Sequence, residues 1–332
     1  MYELTRKTLI IVSCLMLSKM LHLNVSVYIV LFAVVIANTC YSKHIWDIIK
    51  RILPSLLSAL GAIVLNQLFA AHPFIIWTCT MIYFDHVRRH ANTNLKVRMA
   101  TLPLFMIIFI NTYSNSTGFI LSIPEISHDL ILSTLIVGLV ASFINHVMPV
   151  KANIVRPKPV EITVTGVDRL KLLCLVGFGL SFIMINEVTT AVFCLVPLIT
   201  SAMQPSHSMM KNHSSDKMLS QVGGCSLAVI VSMFFSGTEI NLFTYLFISY
   251  ALVFTILLWC NHSDPIERPI HTDALMGFLI PYQLYIGKYG NDFGLNSIML
   301  RAFELVVALL IIYVSAHWLE ILSNRKLNRS ID

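Results

Sequence analysis

Residues 5–38 read TRKTLIIVSCLMLSKMLHLNVSVYIVLFAVVIAN: a basic start, a long apolar run, a polar break at His22, Leu23 and Asn24, then a second apolar run. A helix crossing a hydrocarbon core about 30 Å thick needs roughly 20 apolar residues, with a working range of about 17–25. The stretch is therefore read as a hairpin of two short membrane helices. The same pattern returns at residues 167–200, VDRLKLLCLVGFGLSFIMINEVTTAVFCLVPLIT, with its break at Asn186 and Glu187. Each stretch opens a half of the chain, and each half closes on a similar sequence, INHVMPV around His146 and SAHWLEI around His317.

Composition makes the surroundings apolar. Hydrophobic residues are 56% of the 332, charged residues 12%, and the mean hydropathy is +0.76. A soluble domain carries about 25% charge. Working outward from the hairpins, apolar runs bounded by charge or turn residues predict spans at roughly 8–23, 25–41, 52–70, 73–86, 99–113 and 129–149. A second set follows at roughly 170–186, 188–203, 219–236, 241–260, 273–288 and 296–319. The expected fold is an all-α integral membrane protein of about 12 transmembrane helices. The first run follows Arg6 and Lys7 as a secretory leader would, but no small-x-small cleavage site follows, so it is expected to be retained.

Lys and Arg accumulate on the cytoplasmic side of membrane proteins, whereas Asp and Glu carry little topological information. With the N-terminus inside and twelve spans, every one of the 23 Lys and Arg falls in a cytoplasmic segment except Lys19, Lys288 and Arg301. Fusing the first hairpin into one helix would put the basic clusters at 43–51 and 151–171 on opposite sides, which the rule disfavours. Both termini are thus expected to be cytoplasmic. Six spans per half make the repeats parallel, related by an axis along the membrane normal. The divisions are 1–150 for the first six-helix repeat, 151–168 for a cytoplasmic connector whose two prolines prevent continuous helix, and 169–332 for the second repeat.

The seven cysteines form no CxxC pair and mostly sit in apolar runs, as small hydrophobes do. Neither metal site nor disulfide framework is expected. The net charge of +6 is accounted for by topology, so no nucleic-acid partner is expected. The sequence lacks GxxxxGK[ST], HExxH and GxSxG, the signatures of nucleotide hydrolysis by a P-loop and of two hydrolase families. Catalysis and cofactors are not expected.

Ionisable and polar groups within spans are costly and are candidates for function. Lys19 lies one turn before the first break, where its stem could also snorkel to outer headgroups. Arg301 and Glu304 are three apart on the last predicted helix and can pair, as structural glue or as an anion site with a proton-coupling carboxylate. Asn66 and Gln67 near the end of the third span could bond across helices or meet a solute. Asp273 is read as a helix cap. The segment 277–287, GFLIPYQLYIG, breaks its backbone ladder at Pro281 beside Tyr282, Gln283 and Tyr285, and interrupted spans commonly line transport sites. The segment 204–216, with His207, His213 and Asp216, is read as a Ser-rich loop whose composition fixes no metal geometry.

Two six-helix repeats, each opening on a basic residue and a tight hairpin, and a last helix reading LRAFELVVALLIIYVSAHWLEIL, resemble the fusaric acid resistance and aromatic acid exporter superfamily. The family's L-R-x-x-E pattern matches Leu300, Arg301 and Glu304. The chain looks like a compact member, since only 151–166 stands where exporters have a sizeable cytoplasmic domain. The resemblance implies proton-driven efflux of small organic acids across a Gram-negative inner membrane, alongside a periplasmic membrane-fusion adaptor and with room for self-association as a homo-oligomer. The alternative is a non-transporting scaffold or accessory subunit in the bilayer, which fits the scarcity of intramembrane charge.

Overall fold

The structure is a computed structural model that describes residues 1–115, 123–149, 160–186, 192, 195–204, 206–235, 241–262, 268–285 and parts of 299–317. Its helices run α1 (Tyr2–Met20), α2 (Val27–Thr39), α3 (Ile45–Phe69), α4 (Pro73–His90), α5 (Asn94–Asn115) and α6 (Ile123–Val147). They continue as α7 (Gly166–Asn186), α8 (Leu195–Ala202), α9 (His207–Phe235), α10 (Leu242–His262) and α11 (Arg268–Tyr285). The described residues are all-α apart from one isolated antiparallel bridge, Thr93 to Glu161.

Among the described residues, five helices are long and apolar enough to cross a membrane: α3, α5, α6, α9 and α10. They make the chain a multi-pass membrane protein. The others fall short for legible reasons. α1, α4 and α7 carry charges in their end turns, among them Arg6 and Lys19, Asp85 and Arg88, and Asp168 and Lys171. α2 has 13 residues, about 20 Å of rise, and is apolar on every side because it is buried on every side.

The first hairpin is real and its corner is specific. The α1 chain ends with Leu23 N–H donating to the Ser18 carbonyl (3.2 Å) and His22 N–H to Lys19 (3.3 Å), while His22 takes a left-handed φ of 50°. That is a Schellman ending with a non-glycine at its left-handed position. The start of α2 is fixed from α6, where the buried Asp129 carboxylate accepts the Val25 N–H at 2.9 Å.

Several helices begin earlier than their hydropathy suggests, α3 and α9 by the most. α3 starts at Ile45 rather than near 52, and α9 starts at His207, so the segment read as a loop at 204–216 is largely helix. Ser206 supplies the reason: its hydroxyl accepts the Met209 N–H (3.1 Å) and its carbonyl the Met210 N–H (2.9 Å), while Met210, Ser214 and Lys217 are buried. A capped, packed polar turn needs no solvent.

The chain divides into two compact units, and each draws on both halves of the sequence. Unit 1 holds α1, α2, α3 to Leu56, α6, α9 from Ser220, α10 and α11. Unit 2 holds α3 from Leu57, α4, α5, α7, α8 and α9 to Leu219. In unit 1, α1 packs on α2, α6 and α10, α2 on α6 and α11, and α10 on α11. In unit 2, α7 packs on α8, α4 and α5, α8 on α5, and α4 on α5. Moving six places along the helix order carries four contacts of unit 1 onto unit 2: α1 with α2, α1 with α10, α2 with α11 and α10 with α11 become α7 with α8, α7 with α4, α8 with α5 and α4 with α5.

Candidate functional site

In unit 1 a polar cluster forms where the last turn of α1 meets α10 and the end of α11. Pro281 organises it. A proline has no N–H, so the Gly277 carbonyl loses its helical donor. That carbonyl instead accepts the Cys225 thiol from α9 at 3.4 Å. One turn on, Lys19 Nζ donates to the Gln283 carbonyl at 3.1 Å, bringing the ammonium onto the backbone of α11. The ammonium also stands 5.9 Å from the centroid of the Tyr245 ring.

Tyrosines from two helices wall the cluster. The Tyr245 and Tyr282 rings stack at 5.6 Å, with Phe278 5.1 Å beyond Tyr282. Tyr282 OH shares a 2.7 Å hydrogen bond with Ser249 Oγ, and Tyr245 OH donates to Gln283 Oε1 at 2.7 Å. Gln283 is 1% exposed, and its Nε2 meets no partner among the described residues. Exchanging the amide's O and N leaves the opposite atom open instead, so one end of this side chain is unsatisfied either way. A cation, two phenols, stacked aromatic faces and an open amide end can together hold a small planar polar solute.

The structure thus brings Lys19, Pro281, Tyr282 and Gln283 together, with the Lys19 ammonium on the Gln283 carbonyl of α11. Asn66 and Gln67 lie elsewhere, in unit 2. Asn66 donates to the Ala62 carbonyl (2.8 Å) and to Asn111 Oδ1 (2.7 Å), and Asn111 donates to Thr80 Oγ1 (2.7 Å). That chain ties α3, α5 and α4 as interhelical hydrogen bonds do. Gln67, one residue on, points out of the packed core. Glu304 is half-buried, and Arg301 lies outside the described residues, so their pairing does too.

Sequence reasoning passed over Tyr245 and Ser249, which sit one turn apart in the middle of an apolar run, and a polar pair at that spacing is their signal. It also passed over Asp129, an acid at the start of a predicted span. Arg6 and Lys171, which the charge count assigns to cytoplasmic segments, are buried. Arg6 bonds Asn145 Oδ1 (2.6 Å) and the Ala37 carbonyl near the end of α2, and Lys171 bonds the Gln204 carbonyl just past α8 (2.6 Å). Each closes the negative end of the short helix that follows. An apolar groove of about 440 Å³ between α1 and α6, lined by residues such as Leu9, Phe143 and Val147, adds no polar group to the cluster.

No curated protein and no solved structure matches the chain. Residues 6–148, from α1 through α6, match a family described as "Protein of unknown function (DUF2955)".

Proposed function

We propose that the chain is a secondary efflux transporter of the inner membrane that exports small organic acids, aromatic ones among them, at the expense of the proton gradient. The observation that carries this reading is the cluster in unit 1. An ammonium, Lys19, stands at the end of an interrupted helix beside stacked Tyr245 and Tyr282 and the open amide of Gln283. A carboxylate would take the ammonium, and an aromatic ring would extend the tyrosine stack.

The proposed topology is twelve spans in two parallel repeats, 1–150 and 169–332, joined by the connector at 151–168, with both termini cytoplasmic. The correspondence of packing under a six-helix shift supports it. Arg301 and Glu304 are the proposed coupling pair, and the resemblance to aromatic acid exporters supports a periplasmic membrane-fusion adaptor as partner.

The test is flux from proteoliposomes loaded with benzoate, then with other carboxylic acids, under an imposed proton gradient. Wild type exports at least one acid. Lys19→Met, judged inserted by its elution profile, loses about 10- to 100-fold in rate, the loss of one charge-assisted hydrogen bond of about 1.5–3 kcal/mol. Absence of flux for every acid under every gradient rejects transport and leaves the scaffold reading.

A further inference from the structure

The last turn of α4 carries a guanidinium that the fold buries without satisfying. Arg88 is 0% exposed. Its Nη1 donates to the Ala91 carbonyl at 3.2 Å, while Nε and Nη2 meet no acceptor among the described residues. Those two N–H groups lie side by side on one edge of the planar fork, the edge that grips two oxygens of a carboxylate or phosphate. Unit 2 shows the same grip in use nearby: Arg169 of α7 sets its Nε, at 2.6 Å, and its Nη2 on the two carboxylate oxygens of Asp85.

The carboxylates around Arg88 are committed elsewhere. Asp85 is matched by Arg169. Asp168 closes a capping box at the start of α7: its Oδ2 accepts the Thr165 N–H (3.1 Å) and hydroxyl (2.8 Å), and its own N–H donates to Thr165 Oγ1 (3.2 Å). Its Oδ1 lies 3.5 Å from Lys171 Nζ. Burial pulls the Arg88 guanidinium below its ordinary value, and the charge of Asp168 offsets this only in part. Arg88, Lys171 and Asp168 are all buried, two cations against one carboxylate, so among the described residues one positive charge at this place has no counterpart.

We propose that the Arg88 fork is a binding site for an oxyanion, a phosphate or carboxylate group held by both free N–H donors where α4 packs on α7. The anion supplies the missing negative charge and the two missing acceptors at once. It arrives free in solution or as the phosphate of an anionic phospholipid, since both offer two oxygens to the fork. The peptide after Ala91, whose carbonyl touches the guanidinium, is tied to residues 160–162 by two backbone hydrogen bonds, Asn94 N–H to Val160 (3.2 Å) and Ile162 N–H to Asn92 (2.8 Å). This site belongs to unit 2 and stands apart from the transport reading.

The test is the melting temperature of the full-length protein in phosphatidylcholine nanodiscs. One arm exchanges chloride for inorganic phosphate at fixed ionic strength, and the other replaces part of the lipid with phosphatidylglycerol. Wild type gains about 2–4 °C in at least one arm. A gain with phosphate identifies a free anion, and a gain with phosphatidylglycerol alone identifies a headgroup. Arg88→Met, freed of an uncompensated buried charge, melts no lower than wild type without anion and shows no gain. Arg88→Lys keeps the charge but not the fork and retains at most about half the gain. No gain in wild type in either arm, or an equal gain in Arg88→Lys, overturns the proposal, and the lysine variant decides it alone if the methionine variant does not fold.

Discussion

His22 turns the first hairpin by adopting a φ that L-residues avoid, at a place where helices usually end on glycine. The left-handed conformation costs a β-carbon residue roughly 1–2 kcal/mol, and glycine removes that cost. His22→Gly should therefore raise the unfolding free energy in detergent by up to about 1 kcal/mol, since glycine also gives back chain entropy. His22→Val should lower it by at least as much, because a β-branched side chain tolerates that region least. Equal stabilities for the two variants would mean that the hairpin corner is not held in this conformation. The position of the break was legible, because His22, Leu23 and Asn24 interrupt an apolar run, whereas its geometry was not, because histidine carries no strong turn signal. The candidate site was legible in the same partial way. Pro281, Tyr282 and Gln283 announce an interrupted span, and Lys19 announces a costly charge, but their meeting depends on which helix faces which, and hydropathy does not encode that. Arg6 and Lys171 mark the limit of charge counting: both fit the expected basic ends of helices, yet they are buried against the carbonyls that close α2 and α8.

At the scale of elements, α9 and α11 cross in unit 1 backbone to backbone. A β-carbon on Gly224 would fall onto the Ala274 carbonyl oxygen and within 2.7 Å of Phe278 N, and one on Gly277 within 2.7 Å of the Gln221 carbonyl oxygen. Small residues at such crossings let membrane helices approach closely, and the reward is dispersion contact along both backbones. Gly223 faces open space beside this crossing, with nothing within 4 Å of its β-carbon position. The adjacent pair is a built-in control. Gly224→Ala must push α9 from α11 and should cost about 1–3 kcal/mol of stability, and it should disturb the Pro281 segment through the Cys225 contact. Gly223→Ala should stabilise by up to about 1 kcal/mol, as alanine does in a helix interior. Thermal unfolding of the two variants in one detergent checks the sign of each, and destabilisation by both would deny the crossing. The order and breaks of the helices were readable from apolar runs. The true starts of α3 and α9 were not, because polar first turns capped and packed by their neighbours resemble loops to any scale that counts only hydrophobicity.

At the scale of the molecule, the halves of the sequence and the compact units do not coincide. Each unit combines the first two helices of one half with the fourth and fifth helices of the other, and α3 and α9 each give one part to either unit. A chain of two independent six-helix halves would not pack this way, so the two halves must fold together, and the pairing of α1 with α10 joins helices far apart in sequence. Hydropathy alone could not reveal that exchange, since it reports where a helix lies and not its neighbours. The twelve-span topology has its own test. In a chain whose seven native cysteines are replaced, single cysteines at Asn24 and His72 lie after the first and third predicted spans, and at Lys43 and Lys96 after the second and fourth. All four positions are exposed. A membrane-impermeant maleimide added to intact cells should label Asn24→Cys and His72→Cys, and should reach Lys43→Cys and Lys96→Cys only after the membrane is opened. The short α2 makes the experiment sharp. If its 13 residues fail to return the chain across the bilayer, Lys43→Cys becomes reactive from outside, the basic cluster at 43–51 moves to the opposite face from Arg6, and the charge asymmetry that fixes the topology collapses.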